Sequence, residues 1–283
     1  MGPPLIRESD ASWLGTPIDT RALFAPELAS LLDLLRTLRP AEWEEVAVPG
    51  WTVHDLAAHV LGDYQGRLGW TTPGYRPAFE PGERLEAFIH RVNQEWVDLH
   101  TDTEPASLIE ALRRAGTQAA RQFESAELDA VGLGVSWAGA VPAPAWLDIA
   151  REFTEYWTHR QQIRYATGRD TDTGTHPLAT VLDTFMRALP HTLRDTSATA
   201  GTQVRVVVEG PAGGAWTVTA LADRWSLAEA ATGRPAASVR LDAETAWRLC
   251  SRGIEPGAAL ARTHLRGDRQ LAQAVLHIVS IVR

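Results

Sequence analysis

The chain has 283 residues, of which 45% are hydrophobic and 22% charged, close to the averages of soluble globular proteins. Its formal net charge of −8 argues against a nucleic-acid binder that relies on a broad basic surface, and no apolar run is long enough to span a membrane. The single cysteine, Cys250, excludes an internal disulfide and a thiolate-rich zinc site. The first ten residues lack the basic and apolar segments of a secretory signal, so we expect a cytoplasmic protein.

Several common catalytic patterns are absent from the sequence. All 27 basic residues are arginine, which removes mechanisms that need a lysine nucleophile, a Schiff base or a phosphate-loop lysine. Neither a G-x-S-x-G turn nor an H-E-x-x-H helix occurs. The glycine-rich segment 210–214 lies between two predicted strands and is interpreted as a hairpin turn. Cys250 lies in an apolar helical segment and is interpreted as a core residue.

Helical periodicity predicts a bundle over the first two thirds of the chain. Residues 1–20 show no sustained period and are predicted to be an extended or mobile lead-in. Thr52, with Asp55 three positions later, is typical of a capping box at a helix start. A long loop rich in glycine and proline is expected over 124–144. The predicted helices cover residues 21–39, 52–68, 83–101, 105–123, 145–167 and 177–194.

The pattern changes after Asp195, where short alternating segments replace the helical period. Strands are predicted over 204–209, 216–219, 225–227 and 237–241, followed by helices over 242–251 and 268–281. We therefore expect an α+β protein with three parts: a lead-in at 1–20, a helical bundle with a four-helix core at 21–195, and a small α+β domain at 196–283.

Glu155 and His159 form the most informative pair of polar residues. On a helix, residues four apart project from one face with Cβ atoms about 5–6 Å apart, so both side chains can reach one metal ion. Trp146, Phe153 and Trp157 form the predicted core stripe of the same helix. A surface helix with a solvated Glu–His contact has the same periodicity, so both interpretations stay open.

A second candidate ligand lies in the helix that Thr52 begins. Val53, Leu56 and Val60 define its predicted buried stripe, and His59 lies at the margin of that stripe, alongside Asp63. His54 points away from the stripe and is expected to be exposed. With Glu155 and His159, His59 would complete a set of two imidazoles and one carboxylate. That set suits catalytic zinc and also non-haem Fe(II), whereas a histidine at a core margin can equally be structural.

These segments resemble a known family. Residues 49–59 (PGWTVHDLAAH) resemble the second helix of the DinB-like metal-binding bundle, in which the last histidine is a ligand. Residues 152–164 (EFTEYWTHRQQIR) resemble the E-x-W-x-H segment of the mycothiol-dependent maleylpyruvate isomerase family. Further matching segments, which extend the resemblance over nearly the whole chain from about residue 20, are 166–169, 185–190, 210–216 and 265–268.

The resemblance implies a function and a set of site residues. It implies that His59, Glu155 and His159 bind a divalent metal, zinc in the first instance, and that the C-terminal domain is sterol-carrier-like. It also implies a functional arginine in that domain, which we place at Arg266. The implied cosubstrate is mycothiol, whose thiolate on the metal attacks an electrophilic small molecule.

The expected reaction is a cis–trans isomerisation or a mycothiol S-transfer. In an isomerase the thiolate adds to an activated cis double bond, the resulting single bond rotates, and the thiolate leaves as the double bond re-forms. A carboxylic acid substrate would need cationic partners, for which Arg160, Arg164 and Arg266 are candidates. Arginines at 160 and 164 can equally be surface residues whose stems cover apolar neighbours.

Two other classes of function remain open. A metal-assisted hydrolase or biosynthetic enzyme would keep the metal and dispense with the thiol. A non-catalytic protein would instead bind a small molecule in an apolar pocket between the bundle and the C-terminal domain. Loop tryptophans such as Trp70 and Trp137 could line such a site, and we interpret them first as anchors of their own loops.

Overall fold

The computed structural model describes residues 11–71, 74–228, 230–231 and 233–281. It is α+β, with a helical N-terminal part and a sheet-containing C-terminal part, as predicted. The chain divides into two compact units. The bundle unit comprises Arg21–Ala126 and Glu155–Asp172, and the sheet unit comprises described residues 11–20, 127–154 and 173–281. No helix in the described ranges is both long enough and apolar enough to cross a membrane.

The first helices lie close to their predicted positions. In chain order they are α1 (Phe24–Arg36), α2 (Val53–Arg67), α3 (Leu85–Leu99), α4 (Pro105–Glu124) and α5 (Ala145–Ala166). A two-stranded hairpin that the sequence analysis did not predict precedes α2, with β1 at Val46–Val48 and β2 at Trp51–Thr52.

The predicted helix over 21–39 is shorter than expected. A 3₁₀ turn at Arg21–Leu23 leads into α1, and a second 3₁₀ turn begins at Pro40 and ends at Glu44. Proline has no backbone N–H and cannot continue an α-helix, which explains why a new turn begins there.

The start of α2 confirms the predicted capping box. The Thr52 hydroxyl accepts a hydrogen bond from the Asp55 backbone N–H, and Asp55 Oδ2 accepts one from the Thr52 backbone N–H at 2.9 Å. Val53, Leu56 and Val60 are fully buried, as the stripe predicts. The cap therefore fixes the first turn, and the apolar stripe fixes the rotation of α2 about its axis.

The core of the bundle unit is aromatic where α5 enters it. The ring of Tyr156 lies 4.5 Å from that of Tyr64 on α2 and 6.0 Å, edge-on, from that of Phe24 on α1. Helices α1 and α2 both pack against α4. Gly116 permits this approach, because a Cβ atom there would lie 2.6 Å from a methyl group of Leu28.

The position of Arg160 differs from one interpretation of the sequence. A surface position was an open interpretation for this residue, yet its side chain is only 3% exposed. Its Nη2 donates to Glu27 Oε2 at 2.9 Å, and its Nη1 donates to Asp172 Oδ2 at 2.7 Å. Burial raises the pKa of the Glu27 carboxyl, and the Arg160 guanidinium opposes that rise. The ion pair therefore joins α1 to α5, and Arg160 is not available to bind a substrate.

The sheet unit is built on five strands in the order β5-β4-β3-β6-β7. Helices α6 (Thr175–Met186) and α7 (Leu189–Thr192) precede the sheet, so the single helix expected over 177–194 is broken into two. The remaining elements are β3 (Gln203–Glu209), β4 (Gly214–Ala220), β5 (Trp225–Ser226), β6 (Ala237–Asp242), α8 (Ala243–Cys250), α9 (Pro256–Leu260), β7 (His264–Gly267) and α10 (Arg269–Val275). Strand β3 pairs antiparallel with β4 and parallel with β6.

One face of this sheet is apolar and covered by helices. Val204, Val206 and Val208 are buried and alternate with the exposed Arg205, and α8 packs against both β3 and β6. Cys250 at the end of α8 is buried, which raises the pKa of its thiol to about 12. It is a core residue, as interpreted from the sequence, and at neutral pH it is a thiol rather than a thiolate.

The described part of the lead-in is packed rather than mobile. Leu14 is fully buried, and the Trp13 carbonyl accepts a hydrogen bond from the Leu227 backbone N–H at 2.8 Å. Arg187 holds the same turn, because its Nη1 donates to the Leu14 carbonyl at 2.6 Å. Residues 1–10 of the predicted lead-in lie outside the described residues.

The loop before α5 is also anchored. Leu133 donates its backbone N–H to Asp148 Oδ2 at 3.0 Å, and Trp137 is 7% exposed. The interpretation of Trp137 as a local anchor agrees with this burial.

We expect the Arg160→Met variant to lose about 3–5 kcal/mol of unfolding free energy, because the Glu27 carboxylate would remain buried without its cation. The double variant Arg160→Met with Glu27→Leu should recover most of the loss. Urea unfolding at pH 7 measures both, with Arg164→Met as the control on the same helix. A loss no larger in Arg160→Met than in Arg164→Met would contradict a stabilising role for the ion pair.

Candidate metal centre

Two histidines meet inside the bundle unit, one from α2 and one from α5. The ring centroids of His59 and His159 lie 4.9 Å apart, with an angle of 82° between the ring planes. Each residue is only 7% exposed. The distance of about 100 residues between them in sequence is thus closed by the packing of the two helices.

Each histidine has a carboxylate four positions away on its own helix. Asp63 Oδ2 lies 3.5 Å from His59 Nε2, and Glu155 Oε2 lies 3.6 Å from His159 Nε2. Two atoms that bind the same ion at about 2.1 Å each are at most about 4.2 Å apart. Within each pair, therefore, the histidine and its carboxylate are close enough to bind the same ion. Ligand atoms of His59, Asp63 and His159 all lie within 4.8 Å of one another.

The structure brings His59 and His159 together with Asp63, and the ligand atoms of these three residues lie close enough to hold one metal ion. That group does not include Glu155, the third predicted ligand, which lies beside His159 on α5. We refer to His59, Asp63, Glu155 and His159 together as the cluster. The sequence analysis placed Asp63 beside His59 without assigning it a role. The signal was present, because His59 and Asp63 have the same four-residue spacing as Glu155 and His159.

His159 is held as a neutral imidazole. Its Nδ1 lies 2.8 Å from Gln162 Oε1, and its Nε2 is buried and makes no hydrogen bond. Burial lowers the pKa of His159 to about 4, with nearby His59 acting in the same direction and Asp63 and Gln162 opposing. At neutral pH one ring nitrogen therefore carries a lone pair, the form in which histidine binds metals.

The donor set fits a divalent cation. An amide oxygen only accepts hydrogen bonds, so the contact with Gln162 Oε1 favours a proton on His159 Nδ1, which leaves the lone pair of Nε2 facing the carboxylate oxygen of Glu155. Two acceptors facing each other in a buried site are unfavourable unless a positive charge lies between them. Two imidazoles with one or two carboxylates suit zinc and other first-row divalent metals.

An aromatic side chain borders the cluster. The ring of Trp51, at the end of the β1–β2 hairpin, lies 4.9 Å from that of His59, and its Nε1 donates to Gln94 Oε1 on α3 at 3.0 Å. The sequence analysis did not single out Trp51. It could have been identified from its position, because Trp51 directly precedes the cap of α2 and His59 lies two turns further along the same helix.

The other candidates lie elsewhere. Arg164 donates its Nε to the Asp170 carbonyl at 2.7 Å, a local contact that closes the end of α5. Arg266 is exposed on β7 in the sheet unit. His54, expected to be exposed, is half-buried, because its Nε2 lies 2.8 Å from the Thr103 carbonyl oxygen.

Comparison with known proteins identifies the family. Residues 24–164 match the family described as the mycothiol maleylpyruvate isomerase N-terminal domain, a span that contains all four cluster residues. Through this domain, the chain belongs to the mycothiol maleylpyruvate isomerase family. The resemblance seen in the sequence is thereby confirmed.

Solved structures show that the likeness extends beyond this domain. The crystal structure of the mycothiol-dependent maleylpyruvate isomerase is 16% identical, with a TM-score of 0.52 over 84% of this chain and 90% of that chain. A mutant of the same enzyme is 15% identical, with the same TM-score and coverage. Identity at this level establishes a common fold. No protein with curated annotation matches significantly.

The neutral state of His159 predicts a specific pH dependence of stability in the metal-free protein. Because the folded pKa of about 4 lies below the ordinary value of 6.5, the unfolded chain binds a proton that the folded chain does not. The contribution of His159 to the free energy of unfolding is therefore fully present above pH 6.5. It is lost as the pH drops toward 4, by roughly 2–3 kcal/mol.

Urea unfolding of the metal-free protein at pH 7 and pH 4.5 tests this expectation. The His159→Gln variant should lose less stability between the two values than the unmodified chain. His277→Gln, at an exposed position, is the control and should behave like the unmodified chain. Equal losses in all three proteins would show that His159 titrates normally.

Proposed function

We propose that this protein is a metal-dependent enzyme that uses mycothiol, as its family name implies, to act on an electrophilic small molecule. The observation that supports it most directly is the buried lone pair of His159 Nε2, which lies beside Glu155, His59 and Asp63 within the matched family domain. A structural histidine at such a depth would be expected to have a hydrogen-bond partner on both ring nitrogens.

His59, Glu155 and His159 are the proposed metal ligands, and zinc is the proposed metal. A divalent cation in this position supplies the positive charge that favours the thiolate form of a bound thiol near neutral pH. Asp63 is the more exposed of the two carboxylates, at 24% against 13% for Glu155. We assign Asp63 Oδ2 to accept the proton that the thiol gives up.

The remaining residues of the cluster orient and shield these groups. Helices α2 and α5 hold both imidazoles in a buried setting, which strengthens electrostatic interactions by excluding water. The Trp51 indole lies against His59, and its hydrogen bond to Gln94 fixes the indole to α3. Trp51 therefore restrains the His59 ring and forms one wall of the site.

The proposed chemistry is nucleophilic addition of the mycothiol sulfur to an electrophilic carbon. If the adduct forms at a cis double bond, rotates and expels the thiolate, the outcome is isomerisation. If the adduct instead takes up at carbon the proton that the thiol gave up and is released as a thioether, the outcome is S-transfer. Both follow from the same thiol-activating residues, so substrate structure decides between them.

A carboxylic acid substrate is the proposed electrophile, and Arg266 the proposed arginine that acts on it. Arg266 is exposed on β7, opposite Ser238, and Ser238 in turn lies beside Arg205 of β3. Side chains at paired positions share one face of a sheet, so two arginines flank a small residue on the outward face. Guanidinium groups bind carboxylates in a two-pronged geometry, which suits this assignment.

Metal content tests the proposed ligands directly. The freshly purified protein should contain about one zinc per chain, because the donor set is complete and buried. The Glu155→Ala and His159→Ala variants should retain only background metal, as measured by elemental analysis after dialysis. Glu86→Ala, at an exposed position on α3, is the control for loss of a carboxylate.

The two carboxylates should differ in this experiment. Asp63→Ala should keep most of its zinc if Asp63 accepts a proton, and should lose it if Asp63 is a ligand in place of Glu155. Full metal retention in both Glu155→Ala and His159→Ala would reject the ligand assignment. No metal in any protein, even after reconstitution with zinc, would favour a non-catalytic binding role.

Thiol dependence tests the class of reaction. With zinc bound, turnover of a cis-configured unsaturated diacid should require mycothiol and should stop when small thiols are removed by gel filtration. Arg266→Ala should raise KM for the diacid about tenfold, the loss of roughly 1.4 kcal/mol of ionic hydrogen bonding. Arg262→Ala, also exposed in the sheet unit, is the matched control. Turnover that persists without thiol would point to a thiol-independent metal enzyme.

A further inference from the structure

The partner of His159 on the side away from the cluster is a neutral amide. Gln162 lies three residues after His159 on α5, and its Oε1 is 2.8 Å from His159 Nδ1. Gln162 is half-buried, whereas His159 is buried. Gln162 thus makes a hydrogen bond that bears on which ring nitrogen of a proposed ligand carries the proton.

With the amide oxygen of Gln162 turned toward His159, these contacts favour one tautomer of the ring. With the proton on Nδ1, the ring donates to an amide oxygen, and Nε2 keeps its lone pair toward the cluster. With the proton on Nε2, Nδ1 and the amide oxygen would be two facing acceptors. The Nε2 proton would then point toward Glu155 Oε2 at 3.6 Å, beyond ordinary hydrogen-bond distance.

We propose that Gln162 is a positioning residue that locks His159 in the Nδ1–H tautomer and, being uncharged, keeps its imidazole a weaker donor than a carboxylate in that place would. The tautomer is a property of the metal-free chain. The effect on donor strength rests on the proposed function, since it requires that His159 bind a metal.

The absence of charge on Gln162 has a physical reason in this cluster. A carboxylate that accepts the distal N–H of a ligating histidine increases the basicity of the imidazole. The cluster already contains the carboxylates of Asp63 and Glu155 beside two buried imidazoles. A third negative charge would add repulsion in a poorly solvated site and would neutralise the cation more fully. A neutral partner leaves the cation with more of its charge for the thiol.

The tautomer is tested by nitrogen-15 NMR of the metal-free protein at pH 8, with His159 assigned by comparison with His159→Gln. The unmodified chain should show His159 as a single Nδ1–H tautomer. Gln162→Leu should lose this preference, whereas Gln162→Glu, which keeps the acceptor, should retain it. A mixed or Nε2–H tautomer in the unmodified chain would overturn the proposal.

Zinc affinity, measured by competition with a chelator, tests the effect on donor strength. Gln162→Leu should bind zinc roughly 10–100-fold more weakly, and Gln162→Glu should bind it more tightly than the unmodified chain. Gln270→Glu, exposed in the sheet unit, makes the same charge change far along the chain and should not alter the affinity. Weaker binding by Gln162→Glu than by the unmodified chain would overturn the argument on charge.

The two measurements separate this inference from the proposed function. If the unmodified chain has the Nδ1–H tautomer but binds no metal, the lock is supported and the proposed function fails. If zinc binds but the tautomer is mixed in the metal-free chain, the proposed metal site is supported and the lock fails. Because Gln162→Glu preserves the shape of the side chain, it provides both readouts if Gln162→Leu does not fold.

Discussion

The structure of the bundle unit depends on how α5 satisfies the polar groups that it carries into the interior. Arg160 is almost fully buried, and two carboxylates, from Glu27 and Asp172, neutralise it. A buried guanidinium without them would cost several kcal/mol, so α1 and the segment that follows α5 must be placed to supply them. The ion pair therefore determines which face of α5 is turned toward α1, and the neighbouring residue His159 takes its direction from that choice.

His159 differs from Arg160 because only one of its two ring nitrogens has a hydrogen-bond partner in the protein. Arg160 has partners on both terminal nitrogens, whereas His159 has Gln162 on one side and an unbonded Nε2 on the other. Two adjacent buried residues on one helix thus differ in how completely they are hydrogen-bonded. The fully paired one stabilises the fold, and the incompletely paired one is best explained by a ligand. This contrast supports the metal site without any appeal to the family.

Local signals were predicted well and distant ones were not. The capping box of Thr52 and Asp55 was predicted because both partners lie within one turn. The burial of Arg160 was not, since its partner Glu27 is 133 residues away. Strand β7 was missed for the same reason: its exposed, polar sequence becomes a strand by pairing with β6. His59 and His159 lie together, and Glu155 lies beside His159, but neither the place of Asp63 in the group nor the position of Trp51 follows from helical spacing alone.

Both helices bring a histidine and a carboxylate to the cluster, four residues apart, but in opposite order along the chain. On α2 the histidine precedes its carboxylate by four residues, and on α5 the carboxylate precedes its histidine by four. Each helix therefore offers one imidazole and one carboxylate, and the two carboxylates would balance the charge of the proposed divalent cation. A neutral Gln162 keeps that balance, because a further carboxylate would leave the site with an excess negative charge. Charge balance thus links the proposed ligand set to Gln162, the residue proposed to orient His159, because the neutral amide at 162 and the carboxylates at 63 and 155 set the net charge of the site together.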